Sequence, residues 1–434
     1  MEPVFAAKPS PEVSADSAIL IDAKTGEILY SKDINKKEYP ASTTKIMTAL
    51  LALERLELNE IVTVDDKSPF TKGSKIALNE GEELSVEELL YALLVPSAND
   101  AAEALAVRMS GSLDEFAKLM NSRAKELGAK NTNFVNPSGL ENDAHMTTAY
   151  DLAMIAREAM KNEDFRRFVS TYTYTMAPTN KQPQERLMHN TNRLLYDGQH
   201  TVVYEGKTRP IKYDGVTGIK TGYTSQAGYP LVSGAKRDNI ELIAVTMHSV
   251  SDNARYLDAI SLLEYGFANY KTVLAISGGI SAGALAIQTG LVDSVGAVVS
   301  EDVWVTVPAE ADAADIENDI QLESFLEAPV SAGDTAGIMS IKYQGVELAQ
   351  VKLLVSENVS RGAVTATVGL GRRIAGTILR VVLFLLALFV LVVFVYVMYK
   401  RRQIRLKRQR RAERAARMAQ ESNVMDEMRR LRSR

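Results

Sequence analysis

The chain has 434 residues, of which 46% are hydrophobic and 24% charged, with a net charge of −4. This length suits two or three folded domains, and the composition is that of a globular protein. Cysteine is absent, which excludes a disulfide framework, a thiol nucleophile and a cysteine metal site. The histidines, His145, His189, His200 and His248, lack metal-ligand spacing, so neither a metal nor any other cofactor is expected.

Residues 1–16 are polar and proline-containing and read as a loose lead. "MEPVFAAKPS" has no apolar export core, so an exported body would imply a mature-form start with an added Met1. "AILIDAKTGEILY" (18–30) reads as a hairpin around a Lys-Thr-Gly turn. Helical periodicity follows at 45–57, 86–95, 100–109 and 112–128. Thr148 and Asp151 form a variant capping box before "DLAMIAREAM". The segment 197–217 reads as an insert that lengthens the approach to Lys220 and reshapes the cleft rim. Residues 231–248 alternate like a hairpin, with Pro230 marking an edge or a bulge. Residues 252–268 return to helix. This order predicts an α/β (α+β) body over 17–270, with helices flanking an antiparallel sheet. Alternation in "VWVTVP", "AGIMSIKY" and "VELAQVKLLVS" predicts a small all-β domain over 271–368.

A linker over 369–373 leads to an apolar run predicted as a transmembrane helix over 374–399. Residues 381–399 carry no charge, and nineteen helical residues span roughly 28 Å, about one bilayer core. Residues 400–434 hold fourteen Lys/Arg and four Asp/Glu, a net of 14 − 4 = +10; residues 1–399 therefore carry −4 − 10 = −14. A basic run beside a membrane helix predicts a cytoplasmic tail and an extracytoplasmic body, attached to the cell membrane by a single pass. Its expected contact is anionic lipid rather than nucleic acid.

Three serine motifs compete for the chemistry. Gly279-Ile280-Ser281-Ala282-Gly283 matches a nucleophile elbow, but no histidine follows His248, and the elbow order needs one. A Ser–His–Asp triad in another order has no local signature. The third set is Ser-x-x-Lys, Ser-x-Asn and Lys-Thr-Gly. Each element has decoys: Ser122/Lys125 and Ser233/Lys236, Ser251-Asp252-Asn253, and Lys24-Thr25-Gly26. Ser42/Lys45, Ser97/Asn99 and Lys220/Thr221/Gly222 give the required order, with the serine at a helix start and Lys-Thr-Gly on a late strand. By itself Ser42 also reads as a helix cap, and Ser97 as a cap for the helix after it. In the chemical reading Lys45, three residues on, rises beside Ser42 and becomes a base if burial and a second cation, Lys220, lower its pKa. Ser97 would relay a proton and Asn99 would hold Lys45 or the substrate amide.

The chain resembles the serine-type D-Ala-D-Ala carboxypeptidases, the low-molecular-mass penicillin-binding proteins. The resemblance rests on "PASTTKIMTA", "LLVPSANDAA", "FVNPSGLEN", "TTAYDLA", "HNTNRLL", "GIKTGYTSQAGYPLVSGAKR" and "LLEYGF", collinear over 18–268. It implies a penicillin-recognising serine acylase fold with Ser42 as nucleophile, Lys45 as base, and Ser97 and Asn99 completing the proton network. Lys220, Thr221 and Gly222 would line the substrate strand, and the backbone N–H groups of Ser42 and Tyr223 would form the oxyanion hole. Arg255 would lie near the substrate carboxylate, and Arg193 is a further candidate. The implied partners are a peptidoglycan pentapeptide stem, shortened by one D-alanine through an acyl-enzyme, and β-lactam inhibitors. Tyr223 stands where relatives often have His, which implies altered substrate preference. No Glu-x-x-Leu-Asn run of a class A β-lactamase is present. The alternatives are a transpeptidase or endopeptidase, and a non-catalytic penicillin-binding regulator; the latter would be expected to have lost Lys45 or Lys220.

Overall fold

The computed structural model describes residues 8–431, and the chain divides into two compact units. The first contains residues 1–282, 298–321 and 337–353. At its centre is a five-stranded sheet, in the order Ile28–Lys32, Ser17–Asp22, Ile240–Met247, Leu231–Arg237, Val216–Thr221. Every neighbouring pair is antiparallel. The Lys-Thr-Gly strand therefore lies at a sheet edge, where one side of its backbone is free of a ladder partner.

Alternation within the strands splits the core in two. Ile19, Ile21, Val232, Ile243 and Val245 point into one apolar cluster, and Ala18, Leu20, Leu231, Leu242 and Ala244 into another. This is the period of two expected of a strand buried on both faces. The first cluster packs under α1 (Lys45–Arg55), α2 (Val86–Leu94), α3 (Asn99–Ser110), α4 (Leu113–Glu126), α5 (Ala149–Ala159) and α6 (Glu163–Ser170). The second is covered by α7 (Asp252–Asn269). Thr148 Oγ1 accepts from the Asp151 N–H as expected, but the reciprocal half of that capping box does not form, because the Asp151 carboxylate accepts from the Asn131 N–H and the Thr132 hydroxyl; a full capping box, of Ser85 with Glu88, closes at α2 instead.

Three expectations are corrected. Residues 1–7 of the lead lie outside the described residues, but from Lys8 on it is not loose: the Lys8 N–H donates to Asn269 Oδ1, and Val13 and Ala15 are buried. The cause is Asp258 on α7, a buried carboxylate that accepts from the Ser14 and Ala15 N–H groups and from the Ser14 and Ser249 hydroxyls. Pro230 is on neither an edge nor a bulge. It stands just before an interior strand, where no ladder N–H is required, and its carbonyl accepts from Gly222 N–H. The insert 197–217 forms a hairpin, Thr201–Tyr204 with Lys207–Pro210, that packs against α7 rather than at the Lys220 end. Val202 is buried with Tyr256 and Ile260, and Arg209 pairs with Glu264.

Beyond α7 the first unit continues with Tyr270–Ile276 paired to Val303–Pro308. Ile316–Leu322, Thr335–Tyr343 and Val346–Val355 follow as adjacent strands. In the second unit Ser281–Gln288 lies between Ser294–Val299 and Phe325–Glu327. The unit ends in α8, Ala363–Leu431, which runs unbroken through the expected linker at 369–373 and through the last residues assigned to the β region. Its stretch from Ile374 is long and apolar enough to cross a membrane, and its apolar side chains are exposed.

Asp258→Ala is expected to cost roughly 2–4 kcal/mol of stability, because it strips four donors of a buried acceptor. Chemical denaturation would measure it, and Asp258→Asn, which keeps one carbonyl acceptor, should lose less.

Candidate active site

Ser42 lies in a single 3-10 turn, Ala41–Thr44, that runs directly into α1. No side chain caps either element, so Ser42 is not spent on backbone N–H groups. Lys45 is the first residue of α1, and its three-residue offset brings Nζ to 3.0 Å from Ser42 Oγ. Nζ also donates to Asn99 Oδ1 at 2.7 Å and to the Ser138 carbonyl at 2.8 Å. Asn99 opens α3, and its Nδ2 donates to the Lys72 carbonyl at 2.6 Å, which turns Oδ1 toward Lys45. Both of these partners of the amine can only accept. A neutral lysine has two N–H donors and one lone pair; with both donors taken, the lone pair is left for Ser42.

Burial holds Lys45 well below the ordinary lysine range, and the charge of Lys220 pushes it further down; Asp100 and Glu103 on α3 oppose this. Lys220 is itself fully buried, and desolvation with the nearby Arg255 guanidinium lowers it to about 7. His145 is lowered to about 4 by burial and by Lys45, so it is neutral. Its Nδ1 accepts from the Val135 N–H, which leaves Nε2–H to donate to Thr44 Oγ1.

Around Lys220 the backbone is clamped. Gly222 receives a hydrogen bond from Arg255 Nη1 on its carbonyl, at 2.8 Å, and its N–H is held by Pro230. The Thr221 and Thr191 hydroxyls lie 2.6 Å apart. Arg255 also donates to Asp252, and Arg193 joins Asp252 to Asp197. Tyr223 is 59% exposed, its ring 4.7 Å from that of Tyr229. Ser97 is nearly buried and has a left-handed backbone, φ 69°, which a non-glycine residue holds only under constraint. Its hydroxyl has no protein hydrogen bond among the described residues.

The decoys have structural work. Ser251 caps α7 by accepting from the Ala254 N–H. Lys24-Thr25-Gly26 is the first hairpin turn, with Gly26 at φ 81°. Ser281 begins a strand of the β region. Sequence reasoning missed the Ser138 carbonyl, because a backbone acceptor has no residue signature. It lies in the quoted "FVNPSGLEN", where Asn136 Oδ1 gathers the N–H groups of Ser138, Gly139 and Leu140. Gly139 has φ 85°, and a Cβ on it would stand 1.7 Å from the Ala41 carbonyl oxygen. Only glycine lets this turn lie against the residue before Ser42.

A family model described as D-alanyl-D-alanine carboxypeptidase matches residues 4–251. The chain belongs to the D-alanyl-D-alanine carboxypeptidase family. A second model, the penicillin-binding protein 5 C-terminal domain, matches residues 270–361. D-alanyl-D-alanine carboxypeptidase DacF of Bacillus subtilis is 34% identical over 353 residues, covering 80% of this chain and 86% of that protein. DacA of Haemophilus influenzae is 30% identical over 364 residues, covering 82% and 87%. Among solved structures, penicillin-binding protein 5 from Haemophilus influenzae aligns with a TM-score of 0.70 at 29% identity, over 82% of this chain and 100% of that one. Penicillin-binding protein 6B from Escherichia coli aligns with a TM-score of 0.61 at 28% identity, over 80% and 97%. Membership of this family fits a penicillin-recognising α+β body followed by a β region and a membrane-anchoring helix.

Gly139→Ala should slow β-lactam acylation by at least about tenfold while the protein stays folded, because the displaced Ala41 carries Ser42 with it. Stopped-flow labelling with a fluorescent penicillin, alongside circular dichroism, tests this; an unchanged rate would show that the turn can yield.

Proposed function

We infer that this D-alanyl-D-alanine carboxypeptidase acts through Ser42, and the observation that carries the reading is the Lys45 amine, buried, held well below the ordinary lysine range and 3.0 Å from Ser42 Oγ. The substrate is a peptidoglycan stem peptide ending in D-Ala-D-Ala. Ser42 Oγ attacks the carbonyl carbon of the penultimate residue as Lys45 Nζ takes its proton. The proton passes to the leaving nitrogen, D-alanine departs, and an ester remains on Ser42. Water, activated by the same amine, then cleaves the ester. A β-lactam presents its strained amide to Ser42 in the same place, and its ring opening leaves a comparable ester.

Position supports the remaining roles in the same reading. Asn99 orients the base. Ser97, with a free hydroxyl in the "PSAN" turn, is the proton relay toward the leaving group. Lys220 supplies the positive charge that depresses Lys45 and receives the C-terminal carboxylate, with Thr221 and Gly222 pairing to the extended substrate. Arg255 holds the Gly222 carbonyl and adds to the positive field from behind. The N–H groups of Ser42 and Tyr223 receive the oxyanion. The tail beyond residue 399 lies on the cytoplasmic side, because its +10 charge resists export, and the body lies outside.

D-alanine release from a pentapeptide ending in D-Ala-D-Ala should be lost in Ser42→Ala together with penicillin labelling; retention of labelling would remove Ser42 from its role. The pH profile gives a second check. Lys45 must be neutral and Lys220 cationic, so activity is confined to pH values above that of Lys45 and below that of Lys220, and is lost as pH rises through the Lys220 value. In the free enzyme that value is about 7, so kcat/KM should decline as pH rises through it. A bound carboxylate stabilises the Lys220 cation, so kcat should decline only at higher pH. Coincident declines would place the carboxylate elsewhere.

A further inference from the structure

A second feature of the first unit is unrelated to the catalytic cluster. A cavity of about 480 Å³ is walled by the first hairpin turn, α5, α6, the turn after Arg237, and Trp304. Its lining carries Lys24, Arg157, Lys161, Arg166 and Lys236 against Asp238 and Glu241, a balance of 5 − 2 = +3. This stands on a chain whose residues 1–399 sum to −14.

The cations divide into two kinds. Arg166 is neutralised by a two-point bond to Glu241, at 2.7 and 3.0 Å, and Lys161 pairs with Glu158. Lys24, Arg157 and Lys236 have no carboxylate partner among the described residues. Arg157 is pinned by the Ala23 and Lys24 carbonyls, at 2.9 and 2.7 Å, so its charge is positioned but not cancelled. Gly26 makes room for it: a Cβ there would meet Nη1 at 2.7 Å. The Lys24 ammonium stands 3.6 Å from the centre of the Trp304 ring, which holds it in place while leaving its charge available. A pre-positioned guanidinium and two ammonium groups around a cavity of ligand size form an anion receptor.

We propose that this cavity binds a phosphate-bearing polyanion, held by Lys24, Arg157 and Lys236 against Trp304. One carboxylate would leave two of the three cations unmatched, whereas two or more phosphate groups, linked in a polymer or clustered as headgroups, bring at least one charge each and several oxygens. Such a ligand would hold the enzyme to an anionic polymer or a lipid headgroup without occupying the catalytic cluster.

Trp304 is the one tryptophan of the chain, so its fluorescence reports this cavity and is blind to the basic tail. Full-length protein in neutral detergent would be titrated with sodium tripolyphosphate, and separately with phosphatidylglycerol mixed micelles. A saturable change at Trp304 is expected, weakened at least tenfold in the Lys24→Gln/Lys236→Gln variant, with D-alanine release unchanged. A response to tripolyphosphate supports a soluble phosphate polymer; a response to the micelles alone supports a headgroup. Citrate at matched ionic strength should bind at least tenfold more weakly, and equal binding would overturn the choice of phosphate. Protection of Lys24 and Lys236 from amine acetylation, read by mass spectrometry, is the second measurement. The proposal fails if neither readout responds, or if the variant responds as the parent does.

Discussion

The burial of the Lys45 side chain is the constraint on which the rest of the site depends. An ammonium taken fully out of water is costly unless it is paired, and among the described residues no carboxylate is bonded to this one. The fold resolves the conflict by favouring the neutral amine. It surrounds Nζ with neutral oxygens from three separated segments and sets a second buried lysine nearby. Each supplier is then fixed by its own support. Asn99 is turned by the Lys72 carbonyl, Ser138 by the Asn136 amide, and Ser42 by a turn against which only glycine fits. A residue far from the chemistry can therefore matter as much as one that touches substrate.

Much of this was legible in the sequence. The strands of the central sheet alternate, α2, α4, α5, α6 and α7 carry side-chain caps, and the ordered Ser-x-x-Lys, Ser-x-Asn and Lys-Thr-Gly motifs stand on elements that the structure brings into one place. The misses share a physical cause. Residues 8–16 read as loose because their partner, Asp258, lies more than two hundred residues away. Closeness to Lys220 in sequence points the 197–217 insert at the cleft, whereas the apolar face of the hairpin it forms packs on α7. The Ser138 carbonyl carries no side-chain signature, and the continuity of α8 through 369–373 is decided by backbone hydrogen bonding that glycines alone do not veto.

The literal Ser-Asp-Asn at 251–253 shows why order and context outweigh a motif match. Ser251 is occupied as a helix cap, and Asp252 as a partner of Arg193 and Arg255. Ser97, by contrast, has a hydroxyl with no protein hydrogen bond among the described residues, on a left-handed backbone. A group left unsatisfied by its own protein is available to a substrate, and a group consumed by local structure is not. Arg157 and Arg166 in the basic cavity differ in charge instead: both guanidinium groups are hydrogen-bonded, but only Arg166 is paired with a carboxylate among the described residues.

The cations near the nucleophile also couple binding to chemistry. Arg255 and Lys220 lie close enough for each to oppose the charge of the next, and Lys220 does the same to Lys45. In the free protein the repulsion disfavours the protonated forms of the two lysines. Under the proposed roles, a substrate carboxylate at Lys220 favours its protonated form. The restored charge bears on Lys45 and drives it further toward the free amine, partly offset by the carboxylate itself. By reciprocity, a neutral Lys45 makes the protonated Lys220 less costly, and so favours the carboxylate. Recognition of the peptide terminus and readiness of the base are thus one electrostatic equilibrium. A peptide lacking that terminus would forfeit activation as well as affinity, because the charge that binds it is the charge that tunes the base.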